Sequence, residues 1–480
     1  MKLVLAYGVG TFVPRFCALL AIFVYSRLLT VNDFGLYVLA IAIGEFSDQV
    51  TSNWFRVGFL RFYHPGRIAD GPYNLNSLFK FYAYCTLVGT ALVWPISFIM
   101  VRTHTNWVAF AGATSLYVVG NGAVAACVNV FRGEGRAFAF AAMEMLRPLG
   151  ALAAGVTATV LLVPTFRTCA YFGFGCHAAI GLTVLARIWP ARGQGASTKG
   201  WVTEIVHYAW PLFFSCLLIA LLNISDRSQL QWLLGPNAVA LYAAAYAVGR
   251  QPIDVLLNAI NVGSFTELVK AFDADGPTAG AAMLGKHITI LLGLGLPAVA
   301  GVAALAAPIV HTLFDDRYWQ AAPPLVPLAA GMALLAGLKS FGFDQAYYML
   351  RRTGVQVVTL LVGAALGIVA GFLLVRSMGL VGAAYGAILG NLSALVVSGF
   401  IVYKLLPPHL IWSDIVKILF SVTLMVLALH AYPVANFDLW SLAGAVAVGA
   451  GTYLLSLVML DTLGAHRLVR RLAGSRFRTS

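Results

Sequence analysis

The sequence has few charged residues. Only 10% of its 480 residues are Asp, Glu, Lys or Arg, against about 25% in soluble globular proteins. Hydrophobic residues make up 60% of the chain. Because a membrane helix needs about 20 apolar residues, this share would supply roughly fourteen spans. The composition excludes a soluble globular protein and predicts a polytopic membrane protein.

Cysteine is also scarce, and it lacks any pattern that would indicate a disulfide framework or a zinc site. The six cysteines all fall inside apolar runs, and the nine histidines are scattered along the chain. We therefore expect no metal site and no cofactor. The apolar residues come in long runs such as 360–375 rather than in alternating ten-residue strands, which disfavours an outer-membrane barrel and predicts an all-α protein.

Hydropathy and helix breakers divide the chain into fourteen candidate transmembrane helices. The most polar connection, at residues 190–200, is placed between the sixth and seventh spans. From this pattern we predict an N-lobe of six spans (1–189), a cytoplasmic linker (190–202), a C-lobe of six spans (203–404), a helix pair (405–462) and a basic cytoplasmic tail (463–480).

The net charge of +13 is distributed unevenly between the two faces of this predicted topology. Of the 31 basic residues, six lie on the side of the first connection and 21 on or near the opposite side, with four inside the spans. The positive-inside rule therefore predicts that both termini are cytoplasmic. The rule also explains the basic character without nucleic acid, which we do not expect as a partner.

An internal repeat links the two halves. Residues 26–44 and 231–249 match at 8 of 19 positions without a gap, at an offset of 205 residues, and both segments lead into an even-numbered span. Because six spans separate the copies, the halves have the same membrane orientation. A parallel repeat of this kind is typical of an alternating-access transporter.

Ionisable residues occur well inside the spans, where each would cost roughly 3 kcal/mol if unpaired. They are Arg15, Glu45, Asp48, Glu144, Arg147, Arg250, Asp254, Lys339 and Asp344. In the second span, Glu45, Asp48, Gln49, Ser52 and Arg56 fall at helical steps of three and four and form one polar stripe. Local ion pairs such as Glu144 with Arg147, or Arg250 with Asp254, are one interpretation. A solvated cavity is the other, and its four basic groups would favour an anionic ligand.

The stretch at residues 26–37, SRLLTVNDFGLY, resembles the opening signature of the Wzx-type polysaccharide flippases, which belong to the multidrug/oligosaccharidyl-lipid/polysaccharide exporter superfamily. Residues 223–242, which include Asp226 and Arg227, and residues 313–327 are similar to two further segments of that family.

The resemblance implies two six-helix lobes around a central cavity, with a last helix pair beside them. It also implies export of undecaprenyl-pyrophosphate-linked oligosaccharides across the bacterial inner membrane for exopolysaccharide, capsule or O-antigen (lipopolysaccharide) synthesis. Polysaccharide polymerase and chain-length proteins are the expected partners, besides the lipid bilayer and the lipid-linked substrate.

Two sets of residues would then carry transport. We expect Arg15, Arg56, Arg147, Arg250 and Lys339 to bind the pyrophosphate, because guanidinium groups are good phosphate partners. Glu45, Asp48, Glu144, Asp226, Arg227, Asp254 and Asp344 are the candidates for binding a coupling ion, H+ or Na+, or for gating.

Other functions remain open at this point. A multidrug or other small-molecule exporter of the same superfamily would have a more acidic or apolar cavity. A membrane glycosyltransferase, ligase or polymerase acting on lipid-linked sugars would need a long periplasmic loop with catalytic carboxylates. The nearest candidates, Asp315 and Asp316, sit in a short connection beside Arg317. A peptidoglycan-precursor flippase would share the chemistry proposed here and is a further alternative. Because the sequence has no such loop, we expect a transporter and not an enzyme.

Overall fold

The computed structural model describes residues 2–63, 75–192, 199–352, 354–432 and 437–464. Within these ranges every regular element is a helix, and there is no strand. Eleven helices in the described ranges are long and apolar enough to cross a membrane. The prediction of an all-α polytopic membrane protein is therefore confirmed.

Two compact units divide the chain, Met1–Ala243 and Ala244–Ser480, and we call them unit 1 and unit 2. Unit 1 contains the helix that follows the predicted linker. The boundary between the two units falls within the helix Pro236–Gly249. Part of that linker and the basic tail lie outside the described residues. The division into lobes at residues 190–202 stays a prediction.

The helices of unit 1 follow the predicted spans closely. They are α1 (Lys2–Leu28), α2 (Val31–Asp48), α3 (Trp54–Phe62), α4 (Leu75–Val101), α5 (Trp107–Gly133), α6 (Ala137–Leu161), α7 (Phe166–Arg192), α8 (Lys199–Leu234) and α9 (Pro236–Gly249). A π-helix, Gln49–Asn53, joins α2 to α3 without a turn.

Unit 2 begins at Ala244, within α9. Its helices are α10 (Gln251–Ala304), α11 (Ala306–Leu313), α12 (Val326–Gly337), α13 (Gln345–Met349), α14 (Gly354–Met378), α15 (Leu380–Leu405), α16 (Trp412–Ala431) and α17 (Leu439–Met459). A second π-helix, Leu338–Phe343, joins α12 to α13.

Helix α10 is broken at Gly276, whose φ of 83° and ψ of −176° lie outside the helical region. Glycine tolerates this conformation because it has no Cβ, and Pro277 follows it. The break creates two arms, residues 251–275 and 277–304. The predicted eighth span, 238–262, lies partly on α9 and partly on the first arm. The predicted ninth span, 284–310, lies on the second arm and on part of α11.

The signature at residues 26–37 has a structural role at the start of α2. Thr30 caps the helix by accepting a hydrogen bond from the backbone N–H of Asp33 and donating one to its carboxylate. The second carboxylate oxygen of Asp33 accepts from the backbone N–H of Phe166, at 3.0 Å. One aspartate therefore binds the N-terminal ends of α2 and α7.

Gly35 in the same signature allows α2 and α9 to come into contact. A Cβ at this position would lie 1.9 Å from the carbonyl oxygen of Pro236, the first residue of α9. The two copies of the repeat therefore contact each other where no side chain fits.

Apolar packing differs between the interior and the surface. In unit 1 the interior is rich in aromatic residues, with Phe55, Phe59 and Phe79 completely buried. On α14, by contrast, Leu366, Val369 and Leu373 are more than half exposed. An exposed apolar helix face of this kind is what a lipid-facing surface requires.

Candidate functional site

Unit 1 encloses a polar cavity of about 480 Å³ between α2, the first π-helix, α3, α5, α6 and α8. Its charged wall residues are Glu45, Asp48, Arg56, Arg132, Glu144, Arg147 and Arg227. Polar side chains complete the wall: Gln49, Asn53, Tyr117, Asn121, Asn129 and Asn223. Four arginines face three carboxylates, so the wall has a formal excess of one positive charge.

The first π-helix determines which side chains of the second span reach the cavity. Asp48 and Arg56 are eight residues apart, and in a regular α-helix they would point about 80° apart, because each residue turns by about 100°. The π-helix accommodates one extra residue, so this separation behaves like seven residues and leaves them about 20° apart. Arg56 consequently forms an ion pair with the Asp48 carboxylate.

Arg147 reaches the cavity from α6 and is held from two helices. Its Nη2 donates to Glu144 Oε2, at 3.0 Å, and its Nη1 donates to Asn121 Oδ1 on α5, at 3.4 Å. The sequence predicted the Glu144 pair, and the structure places that pair in the cavity wall. The two interpretations offered by the sequence, ion pair and cavity, therefore both apply here.

Glu45 is the cavity carboxylate with no arginine within ion-pair distance among the residues that the structure describes. It is exposed to the cavity, and the hydroxyl of Tyr117 on α5 donates to its Oε1 at 3.5 Å. A carboxylate with one long hydrogen bond can accept a proton or a cation more easily than one paired with arginine.

Arg227 and Arg132 complete the basic part of the wall. Arg227, on α8, donates through Nη1 to the backbone oxygen of Asn223 at 3.3 Å. Arg132, at the end of α5, is exposed, and its guanidinium lies 5.6 Å from the ring centroid of Phe140. Both contacts are to neutral groups.

Two guanidinium nitrogens in the wall have unused hydrogen-bonding capacity. Arg56 Nε and Arg147 Nε are buried and have no hydrogen-bond partner among the described residues. An unsatisfied buried donor costs about 1–3 kcal/mol, and more when the group is charged.

The structure brings six of the predicted site residues together in this cavity: Glu45, Asp48, Arg56, Glu144, Arg147 and Arg227. Arg15 is exposed on α1 and does not line it. Asp226 lies next to the cavity and accepts hydrogen bonds from the Tyr242 hydroxyl, at 2.9 Å, and from the Arg227 backbone N–H. Ser52, which the polar stripe included, is buried and does not line the cavity.

The other four predicted residues belong to unit 2, where they form two ion pairs. Arg250 Nε donates to Asp254 at 2.9 Å, and its guanidinium lies 4.9 Å from the ring centroid of Tyr246. Lys339 Nζ lies 2.6 Å from Asp344, and both side chains are almost fully buried.

Sequence reasoning missed the polar side of α5. Tyr117, Asn121, Asn129 and Arg132 are spaced four, eight and three residues apart, a helical period that marks one face. Hydropathy alone places Arg132 near the end of a span and does not indicate that it faces a cavity. Among the described residues, no three His, Cys, Asp or Glu side chains are close enough together to hold a metal ion.

Known structures share this fold. The lipid II flippase MurJ, in its inward closed conformation, superposes with a TM-score of 0.75 over 95% of this chain and 98% of its own, at 12% identity. A multidrug resistance transporter of the MATE family, in an inward-facing conformation, gives 0.60, with coverages of 83% and 97% at 14% identity. The eukaryotic MATE transporter AtDTX14 gives 0.53, with coverages of 84% and 94%, also at 14% identity.

Sequence comparison identifies the family. A search of curated proteins found no significant match. A family model described as "Polysaccharide biosynthesis protein" matches residues 1–264, which is more than half of the chain and includes every cavity residue. This match agrees with the resemblance to polysaccharide flippases at residues 26–37, and the chain belongs to this polysaccharide biosynthesis protein family.

Proposed function

We propose that this protein is a flippase for lipid-linked oligosaccharides. It moves undecaprenyl-pyrophosphate-linked repeat units across the cytoplasmic membrane, by alternating access, for the synthesis of a surface polysaccharide such as exopolysaccharide, capsule or O-antigen. The family match and the fold shared with a flippase support this class of function. Its partners would be the bilayer, the lipid-linked substrate, a polysaccharide polymerase and chain-length proteins.

The observation that carries the proposal is the excess of arginine over carboxylate in the wall of the unit 1 cavity. A pyrophosphate has several anionic oxygens, and guanidinium groups such as those of Arg56 and Arg147 bind them well. Arg227 and Arg132 add positive charge in the same wall. The roles assigned to Arg15, Arg250 and Lys339 in substrate binding stay predictions.

A transporter also needs a way to release its anion. In our proposal Glu45 binds the coupling ion, H+ or Na+, because it is the cavity carboxylate that no arginine pairs with. Asp48 and Glu144 are already occupied by Arg56 and Arg147, so they set the strength with which those arginines hold the substrate.

A flippase for lipid II is the second candidate, because the MurJ fold covers 95% of this chain. A glycosyltransferase or polymerase is less well supported. Asp315, the nearest candidate for an acid catalyst, is bound by Arg317 at 2.6 Å, and this hydrogen-bonded pair lowers the pKa of the Asp315 carboxyl. Such a group stays ionised and cannot donate a proton as a general acid.

Deletion of the gene in its own host tests the proposal. We expect surface polysaccharide to disappear and complete lipid-linked repeat units to accumulate in the membrane. The chain restored with Arg147→Ala should not recover export, although the protein should still accumulate. Arg187→Ala is the matched control, because Arg187 is exposed on α7 and does not line the cavity.

Three outcomes would contradict the proposal. Accumulation of lipid II in place of repeat units would favour the second candidate. Normal polymer with altered drug tolerance would favour a multidrug exporter. Recovery of export by Arg147→Ala would show that the cavity arginine does not hold the substrate.

A further inference from the structure

His287 in unit 2 connects three helical segments through its two ring nitrogens. It lies on the second arm of α10 and is 1% exposed. Its Nδ1 is 2.8 Å from Ser264 Oγ on the first arm, and its Nε2 is 2.8 Å from the backbone oxygen of Phe341 in the second π-helix.

The positions of the hydrogens at this junction follow from the partners. A carbonyl oxygen only accepts, so Nε2 of His287 carries a hydrogen in any state of the ring. Ser264 Oγ has one hydrogen and two neighbouring acceptors, His287 Nδ1 and the backbone oxygen of Ile260, each at 2.8 Å. The hydroxyl can donate to only one of them.

Each orientation of the hydroxyl corresponds to one charge state of the imidazole. When Ser264 donates to Nδ1, His287 is neutral with its hydrogen on Nε2. When Ser264 donates to Ile260, its oxygen can accept from a protonated Nδ1, and the ring is an imidazolium with both N–H groups bonded. Neither state leaves a buried ring nitrogen without a partner.

We propose that His287, Ser264 and the backbone oxygen of Phe341 form a proton-binding site, in which rotation of the Ser264 hydroxyl accompanies uptake of the proton on Nδ1. The ligand is a single proton. The site lies outside the unit 1 cavity and uses none of the residues assigned there.

Among the residues that the structure describes, no charged side chain contacts His287. The charged residues on α10 and on the described elements packed against it are Asp254, Glu267, Lys270, Asp273, Asp275, Lys286, Lys339, Asp344, Asp414 and Lys417. Lys339 pairs with Asp344, Asp254 with Arg250, and Asp414 with Lys417. The other five side chains are exposed. The Tyr347 hydroxyl contacts Ser398, and the Tyr348 hydroxyl donates to Gln356. The imidazolium is therefore stabilised by its two hydrogen bonds rather than by a counter-charge.

Proton uptake would strengthen the contact between α10 and the π-helix, because a charged donor forms a stronger hydrogen bond to the Phe341 oxygen than a neutral one. A π-helix is a local distortion that often marks a functional position. Resting on the proposed transport function, we assign this site the role of binding a second coupling ion, a proton in unit 2, in addition to the ion that Glu45 binds in unit 1.

The site is tested by recording 15N NMR spectra of the histidine-labelled protein in lipid bilayers from about pH 8 to about pH 4, a range that brackets the ordinary histidine pKa of about 6.5. The signal missing from His287→Gln identifies the residue, and His287→Asn serves if that variant does not accumulate. We expect the neutral ring with Nε2–H to convert to the imidazolium. A ring that stays neutral throughout would overturn the proposal.

Ser264→Ala tests the coupling to the hydroxyl. This variant removes the acceptor for protonated Nδ1, so a smaller fraction of His287 should be imidazolium at the same pH. Ser393→Ala is the control, because its hydroxyl also donates to a carbonyl of its own helix but contacts no histidine. Equal titration in Ser264→Ala and in the native protein would overturn the hydroxyl switch.

The role in transport is measured separately from the site itself. In host cells we expect His287→Gln to reduce export of repeat units at least tenfold while the protein accumulates normally. Export at the native level would overturn the coupling role and leave the titration result standing. If the native protein exports no repeat units, the proposed function fails, and the NMR result still decides whether the proton site exists.

Discussion

At the scale of single residues, Gly35 shows how one missing side chain positions two helices. Its Cα faces the backbone carbonyl of Pro236, and a Cβ there would lie 1.9 Å from that oxygen. Backbone atoms at a helix start cannot rotate away as a flexible side chain can. The contact therefore holds α2 and α9 together only if position 35 is glycine.

We expect Gly35→Ala to lower the stability of the purified protein by about 1–3 kcal/mol, the cost of overpacking in a close-packed interior. The measurement is the apparent melting temperature in detergent, together with the amount of protein in the membrane. Gly175→Ala is the matched control, because Gly175 is also helical and a Cβ there would meet nothing within 4 Å. An equal melting temperature for both variants would show that α2 and α9 can separate without cost.

The site residues illustrate what the sequence can and cannot predict. Charges inside apolar spans were detectable because each must be paired or solvated, and six predicted residues do line the cavity. Their distribution between two units was not detectable, because helix periodicity gives the face of a residue but not the neighbour of that face. Ion pairs one helical turn apart, such as Glu144 with Arg147, were predictable from spacing alone.

At the scale of elements, the two π-helices were outside what periodicity can predict. The sequence treated residues 34–58 as one regular span, and the extra residue at Gln49–Asn53 changes which side chains face the cavity. Asn53 lines the cavity, whereas Ser52 is buried away from it. Span positions were predicted well because hydropathy depends on length and composition, which a one-residue distortion hardly changes.

This geometry predicts the effect of changing the helix register. Insertion of one alanine between Asn53 and Trp54 would turn α3 by about 100° relative to α2 and separate Arg56 from Asp48. We expect export to be lost, as measured by accumulation of lipid-linked repeat units. Deletion of Val50 in the same chain removes one residue before the insertion and should restore the register and export. Full export by the insertion variant would mean that the pair of Asp48 and Arg56 is dispensable.

At the scale of the whole molecule, the distribution of basic residues between connections predicts the orientation in the membrane. In the predicted topology, six of the 31 lie on the side of the first connection and 21 on or near the opposite side. Retaining Lys and Arg in the cytoplasm is the main determinant of topology in short connections. The same topology predicts that the connection 162–165, between α6 and α7, lies on the poorly charged side, and that the connection 406–411, between α15 and α16, lies on the basic side.

Reporter fusions test this orientation. Alkaline phosphatase needs disulfides and is active only in an oxidising compartment, so we expect activity for a fusion after Pro164 and none for fusions after Pro407 or Ser480. Green fluorescent protein at the same three junctions should give the reciprocal result, which controls for differences in expression. Nine of the fourteen predicted spans, an odd number, lie between the two sites, so phosphatase activity after both Pro164 and Ser480 would require an even number of spans there. That result would contradict the predicted topology.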